Sequence, residues 1–136
     1  MSIIVTDTGF SADDSNEFVP VRTATAADAA LDVPSDVQLP DVHDLLMAAK
    51  IIRIDFPSFS DGRGFTLAAQ LRRHGYRGTL RAHGHVIADQ YAMARRSGFD
   101  EVEISDDLAA RQPQDQWLRR ADWRAHDYQN RMRRAG

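Results

Sequence analysis

The six residues "IIRIDF" (51–56) are a short run rich in β-branched and apolar side chains, too few for an ordinary helix, and bounded by turn residues, so they read as a buried strand. A loop, "PSFSDGRG", follows. Next comes "FTLAAQLRRHG", a helix with Leu67 and Leu71 one turn apart and Gly75 as its stop. The unit then recurs. Residues 79–82 read as a strand, and "HVIADQYAMARRSG" as a helix with Val86 or Ile87, Tyr91 and Ala94 inward and Gly98 closing it. "FDEVEIS" alternates Val102 and Ile104 inward with Glu101 and Glu103 outward, as a half-exposed strand does. Strands recurring roughly every 22–28 residues with a helix between them are parallel βαβ units with right-handed crossovers.

The pattern extends upstream. "PDVHDLLMAA" has Pro40 where a first helical turn tolerates it, Asp41 and Asp44 near the start, and Val42, Leu45, Leu46 and Ala49 on one stripe. "ALDV" before Pro34 reads as another short strand. The expected fold is therefore α/β: a small parallel sheet of repeated βα units resembling half of a (β/α)-barrel, with a C-terminal helix. A whole barrel takes about 250 residues, and a chain of 136 is one domain by length.

Residues 1–27 are expected to form an acidic, loosely structured arm. "IIVTD" suggests a short edge strand and residues 18–21 another, while "SADDSNEF" and "TATAADAA" bury little. Residues 28–108 are the βα-repeat domain, and 109–136 an Arg-rich C-terminal helix or tail. There Leu118, Ala121, Ala125, Tyr128 and Met132 make a narrow apolar stripe on a charged helix. Such a helix packs on the edge of its own domain or docks on a partner, a second copy included. A sheet of this kind needs its edges covered, and the arm, the tail or a homo-oligomer would do it.

Charge narrows the function classes. Residues 1–48 carry nine acids and one base, a net of -8, whereas 49–105 have a net of +3 and 106–136 a net of +2. In residues 106–136, five acids dilute seven arginines, which argues against a nucleic-acid partner. No apolar run approaches the ~20 residues needed to span a bilayer, so no membrane role is expected. The start "MSIIVTDTGFSADD" has neither the basic nor the apolar region of a secretion signal, and a cytoplasmic protein is expected. With no cysteine, disulfides, thiolate nucleophiles and cysteine-ligated zinc or iron–sulfur clusters are excluded. There is no cofactor fingerprint either, because G-x-G at Gly62 and Gly64 is too short for a dinucleotide or phosphate loop. No cofactor and no metal are assigned, and the balance leans against an enzyme.

One patch holds the candidate residues. In parallel α/β folds, ligands sit beyond the carboxyl ends of the strands. The loop after "IIRIDF" lies there, with Gly62 and Gly64 freeing backbone N–H groups, Thr66 able to cap the next helix, and Arg63 able to clamp an anion. The same residues also read as a tight turn in which Asp61 pairs with Arg63. "RAHGHV" is expected at the same end of the neighbouring strand, so that Arg81, His83, His85, Asp89 and Gln90 would face Asp55, Asp61 and Arg63. Two histidines about a glycine, with Asp55 or Asp61 as a third ligand, could hold a metal or shuttle protons, although a solvated loop is the better explanation of so short a pattern. The binding or recognition patch thus comprises Asp55, Asp61, Gly62, Arg63, Gly64, Arg81, His83, Asp89 and Gln90.

The strings "IDFPSFSDGRGFTLAAQLR", "GYRGTLRAHGHVIADQ" and "RRSGFDEVEI" resemble a bacterial family of unknown function. Its members are commonly encoded beside assimilatory sulfite reductase, and some carry the label of oxidoreductases involved in sulfite reduction. The resemblance spans roughly residues 50–105. It falls on Asp55, Phe56, Pro57, Phe59, Asp61, Gly62, Arg63 and Gly64, and on Tyr76, Arg77, Gly78, Arg81, Gly84, Asp89, Gln90, Gly98, Phe99 and Asp100. Where the family usually has an acid, this chain has His85. The resemblance implies an accessory protein of assimilatory sulfite reduction that docks on the reductase or its electron donor. Two alternatives stand beside it: a small oxyanion-binding enzyme or oxidoreductase of the same pathway, with Arg63 and Arg81 as the cradle, and a scaffold that oligomerises through its tail helix.

Overall fold

Helices and strands alternate as the spacing predicts. In the computed structural model, which describes residues 2–13 and 16–123, the strands are β1 (Ser2–Thr6), β2 (Gly9–Ala12), β3 (Val19–Pro20), β4 (Ala30–Val33), β5 (Ile51–Phe56), β6 (Thr79–Gly84) and β7 (Glu101–Ser105). The helices are α1 (Leu39–Ala48), α2 (Arg63–Arg73), α3 (Tyr91–Ser97), α4 (Asp106–Arg111) and α5 (Gln114–Leu118). All seven strands join one sheet in the order β2-β1-β7-β6-β5-β4-β3. From β3 to β7 neighbouring strands are parallel, and β1 is antiparallel to both β7 and β2.

Strand order follows chain order from β4 to β7, so each crossover helix falls on the same side of the sheet. There α2 packs against both α1 and α3. The strand residues facing these helices are apolar and buried: Leu31 and Val33, Ile52, Ile54 and Phe56, Leu80 and Ala82, Val102 and Ile104. Leu46 of α1, Leu67, Ala68 and Leu71 of α2, and Tyr91 and Ala94 of α3 close on them. Consecutive units of a (β/α)-barrel are arranged this way, but here the sheet stays open and continues into the β1–β2 hairpin.

The ends agree with expectation in part. Residues 1–27 hold the two short strands expected there, as β1 and β3, together with a third, β2, and β1 lies inside the sheet rather than at its edge. Ile3, Ile4 and Val5 supply the apolar surface that β7 needs beside it, and Ile4 and Val5 are buried. A C-terminal helix is present as α5, which follows α4 across Pro113, a residue unable to donate the backbone hydrogen bond of a continuous helix, and which ends at Leu118 within the described residues. Trp117, absent from the expected stripe, is the anchor of α5. Its ring meets Tyr91 edge-on at 6.0 Å and its indole N–H donates to the Gln112 carbonyl at 2.9 Å. Leu118 of that stripe is exposed, Ala121 is half-buried, and Ala125, Tyr128 and Met132 lie outside the described residues. No described helix is long and apolar enough to cross a membrane.

Candidate functional site at the carboxyl rim

The sheet face opposite the helices is polar, and it forms a lattice of ion pairs. Strand register places Asp32, Arg53, Arg81 and Glu101 side by side on β4 to β7, and one step along it places Asp55, His83 and Glu103 in a second row. Arg53 makes paired hydrogen bonds to Asp32, both at 3.1 Å, and reaches both oxygens of Glu103 at 3.2 Å. Arg81 donates to Glu101 and Glu103, each at 3.0 Å. The Phe18 ring covers both guanidinium groups, at 4.2 Å from Arg53 and 5.3 Å from Arg81.

Glu103 was expected to point outward into solvent, and Arg81 to stand at the rim. Both are buried instead, at 2% and 0% exposure, near the middle of the polar face. The alternation of β6 and β7 is as expected, but the outward positions of adjacent strands carry opposite charges in register, so they close on one another rather than on water. Burial pushes the Glu103 carboxyl up, but the charges of His83 and Arg53 and hydrogen bonds from Arg81 and Ser2 outweigh it and hold the group below its ordinary range.

At the carboxyl ends of β5 and β6 the chain forms a rim. Arg63 turns back on Asp61 through Nε at 3.0 Å and Nη2 at 2.7 Å. Asp61 also accepts the Arg63 backbone N–H at 3.0 Å and the Ser35 hydroxyl at 3.1 Å. Hydrogen bonds from the Arg63 side chain and backbone hold the Asp61 carboxyl well below the usual carboxylate range. Gly62 has open space around it, whereas Gly64 lies on the Phe56 ring, where a Cβ would come within 2.5 Å. The Asp61–Arg63 pair is thus a closed one at the head of α2.

Gln90 joins the two rim loops. Its amide donates to the Phe59 carbonyl at 2.9 Å and its oxygen accepts the Ile87 N–H at 3.1 Å. The helix expected from residue 85 begins later than that: residues 88–90 form a 3-10 turn and α3 starts at Tyr91. Gly84 brings the second loop within reach of the first: its φ of +110° suits glycine, and a Cβ there would meet the Phe56 carbonyl at 2.8 Å. The Phe59 ring, held this way, stays 43% exposed and meets His85 edge-on at 5.1 Å.

The candidate residues therefore divide. Asp61, Gly62, Arg63, Gly64 and Gln90 share the rim. Asp55 and His83 sit where the strands end, with His83 Nδ1 3.7 Å from Asp55 and Nε2 3.2 Å from Glu103. Asp89 turns away and pairs with Arg120 at 2.8 Å. The two histidines diverge, since His85 Nδ1 bonds the Phe56 carbonyl at 3.2 Å, and no cluster of three metal-ligating side chains forms among the described residues. Beside the rim lies a cavity of about 260 Å³ between Phe59, His83 and His85 on one side and Ser105, Leu108 and Arg111 on the other. Ser105 and Arg111 had no signal in the sequence, because α4 is a short helix within an acidic stretch and only register shows what faces its end.

A profile of bacterial proteins of unknown function (DUF934) matches residues 30–135. The chain belongs to that family. The matched region runs from β4 past α5, so it holds the rim, the ion-pair lattice and all of the cavity's lining but Ser2, and not the β1–β2 hairpin. No curated protein and no solved structure matches the chain.

Proposed function

We propose that the chain is a cytoplasmic accessory protein of assimilatory sulfite reduction, and that it acts by docking its carboxyl rim on the sulfite reductase or that enzyme's electron donor. The pathway rests on the resemblance of "DFPSFSDGRG" and its companion strings to family members encoded beside sulfite reductase. Docking rests on one observation: Phe59 is displayed at 43% exposure on a loop fixed from both sides. Gln90 holds the Phe59 carbonyl, and Asp61 is locked by Arg63 and Ser35. A preorganised aromatic ring beside a fixed charged pair is the arrangement of an interface anchor, since little side-chain freedom remains to be lost on binding.

The oxyanion cradle of Arg63 and Arg81 is less well supported. Arg81 is enclosed and its donors are spent on Glu101 and Glu103, while Arg63 gives one edge of its fork to Asp61. The test is binding of the purified chain to purified sulfite reductase and, separately, to its electron donor, by interferometry. Micromolar association that Phe59→Ser abolishes supports docking. Absence of binding to both proteins, or equal binding by the variant, refutes it.

A further inference from the structure

We propose that the cavity between the β6 corner and α4 binds a small organic anion, a carboxylate or sulfonate with a short apolar part. Its cationic wall is Arg111. That side chain is exposed in the last turn of α4 and has no ion pair or hydrogen bond among the described residues; Arg73, Arg77, Arg96 and Arg119 share that state, but Arg111 alone of these lines the cavity. A planar fork left free beside a cavity is suited to a two-oxygen anion.

The histidines form the cavity's polar wall. His85 Nδ1 must donate to the Phe56 carbonyl, which leaves Nε2 as a lone-pair acceptor without a partner among the described residues. His83 is oriented by the buried Glu103 at its Nε2. Asp55 contacts His83 at 3.7 Å but does not line the cavity, and Glu103 is neutralised by Arg53 and Arg81, so neither carboxylate opposes an anion there. Phe59 and Leu108 give the cavity an apolar wall, and Ser2, Gly84 and Ser105 complete its lining. A volume of about 260 Å³ lies below the range that houses drug-sized ligands. The Arg111 fork on one side and an aromatic wall on the other select a short amphipathic anion over a bare inorganic one. The cavity lies beside strand ends, where open parallel sheets place their ligands, and the proposal stands whether or not the rim docks on a sulfite reductase.

The experiment is titration of the full chain with butyrate, butanesulfonate and sulfate, followed by NMR at the His85 ring and by calorimetry. Butyrate or butanesulfonate is expected to shift the His85 resonances and to bind at least about fivefold more tightly than sulfate. The first two arms separate carboxylate from sulfonate as the source of the charge. Arg111→Gln is expected to weaken binding about tenfold with an unchanged melting temperature, and Arg63→Ala to leave binding intact. The proposal fails if neither organic anion binds at millimolar concentration, if sulfate binds as tightly as they do, or if Arg63→Ala and not Arg111→Gln removes the response.

Discussion

Arg81 and Glu103 face each other at 3.0 Å across neighbouring parallel strands, one with 0% and the other with 2% of its surface exposed. Burying two charges is tolerable only when every hydrogen-bonding atom has a partner. Here Glu103 is served by Arg53, Arg81 and His83, and among the described residues no buried side-chain polar atom is left without a partner. The middle of the polar face is thereby closed, and it positions His83 at the rim.

Glu103→Gln removes the charge that this lattice is built around. Removing one partner of a buried pair costs about 3–5 kcal/mol, to be read from urea unfolding. The pH dependence follows from the depressed Glu103 ionisation. The unfolded chain binds the proton more readily than the folded one, so the stabilisation is present above the ordinary glutamate value of about 4.3 and is lost as pH falls below it. The variant should be less stable at neutral pH and show a shallower decline between about pH 4.5 and 3. An equally steep decline would show that the acid sensitivity lies elsewhere.

The two glycines of the rim loop should behave differently. A Cβ at Gly64 meets the Phe56 ring at 2.5 Å, within a buried cluster of Phe56, Phe65 and Phe99. Overpacking of this kind costs about 1–3 kcal/mol. Gly62 has nothing within reach of a Cβ and a φ of -93°, so Gly62→Ala should cost under about 1 kcal/mol, the difference between glycine and alanine at a helix N-cap. Thermal melts of the two variants side by side test this.

Much of this architecture was legible in the order of residues. β5 and β6, the stripe of α1 and the ends of α2 and α3 follow from β-branched runs, helical spacing and Gly75 and Gly98, signals carried by adjacent residues. The hairpin was not legible, because "GFSA" of β2 has no apolar pattern and pairs only once β1 is held by β7. The lattice was missed for a related reason. Arg53, Arg81, Glu101 and Glu103 occupy outward positions, and alternation cannot separate an outward residue in water from one closed by the neighbouring strand. Reading the strands in register, which sets Arg53 and Arg81 side by side between Asp32 and Glu101 with Glu103 one row along, would have found it.

Gln90 has the clearest positioning role at the rim, and the measurement that shows it is local. Gln90→Ala removes both the bond to the Phe59 carbonyl and the bond to the Ile87 N–H. Hydrogen exchange should speed up across residues 57–61 and 85–90 and stay unchanged in β5 and β6, whose ladder the side chain does not touch. Docking through Phe59 should weaken with it although the ring itself is intact, because a loosened loop has more freedom to lose on binding. Unchanged exchange in both loops would remove Gln90 from this role.

Asp7 ties the turn between β1 and β2 to α3, and its loss should release the hairpin. It accepts the Tyr91 hydroxyl at 2.5 Å, Arg95 at 3.2 and 3.3 Å, and the Trp123 indole N–H at 3.3 Å. Burial acts to raise its ionisation, but the hydrogen bonds from Tyr91, Trp123 and Arg95 leave it below the ordinary value. Tyr91→Phe deletes one donor and leaves Asp7 two others, so the loss should be about 1 kcal/mol. Asp7→Ala is worse, because it leaves the buried Tyr91 hydroxyl without an acceptor, at a cost of about 1–3 kcal/mol. In the double variant, Tyr91→Phe should cost almost nothing further, since its partner is already gone. Urea unfolding of the four proteins gives the coupling; strictly additive losses would mean that the short contact contributes nothing to holding the hairpin on α3.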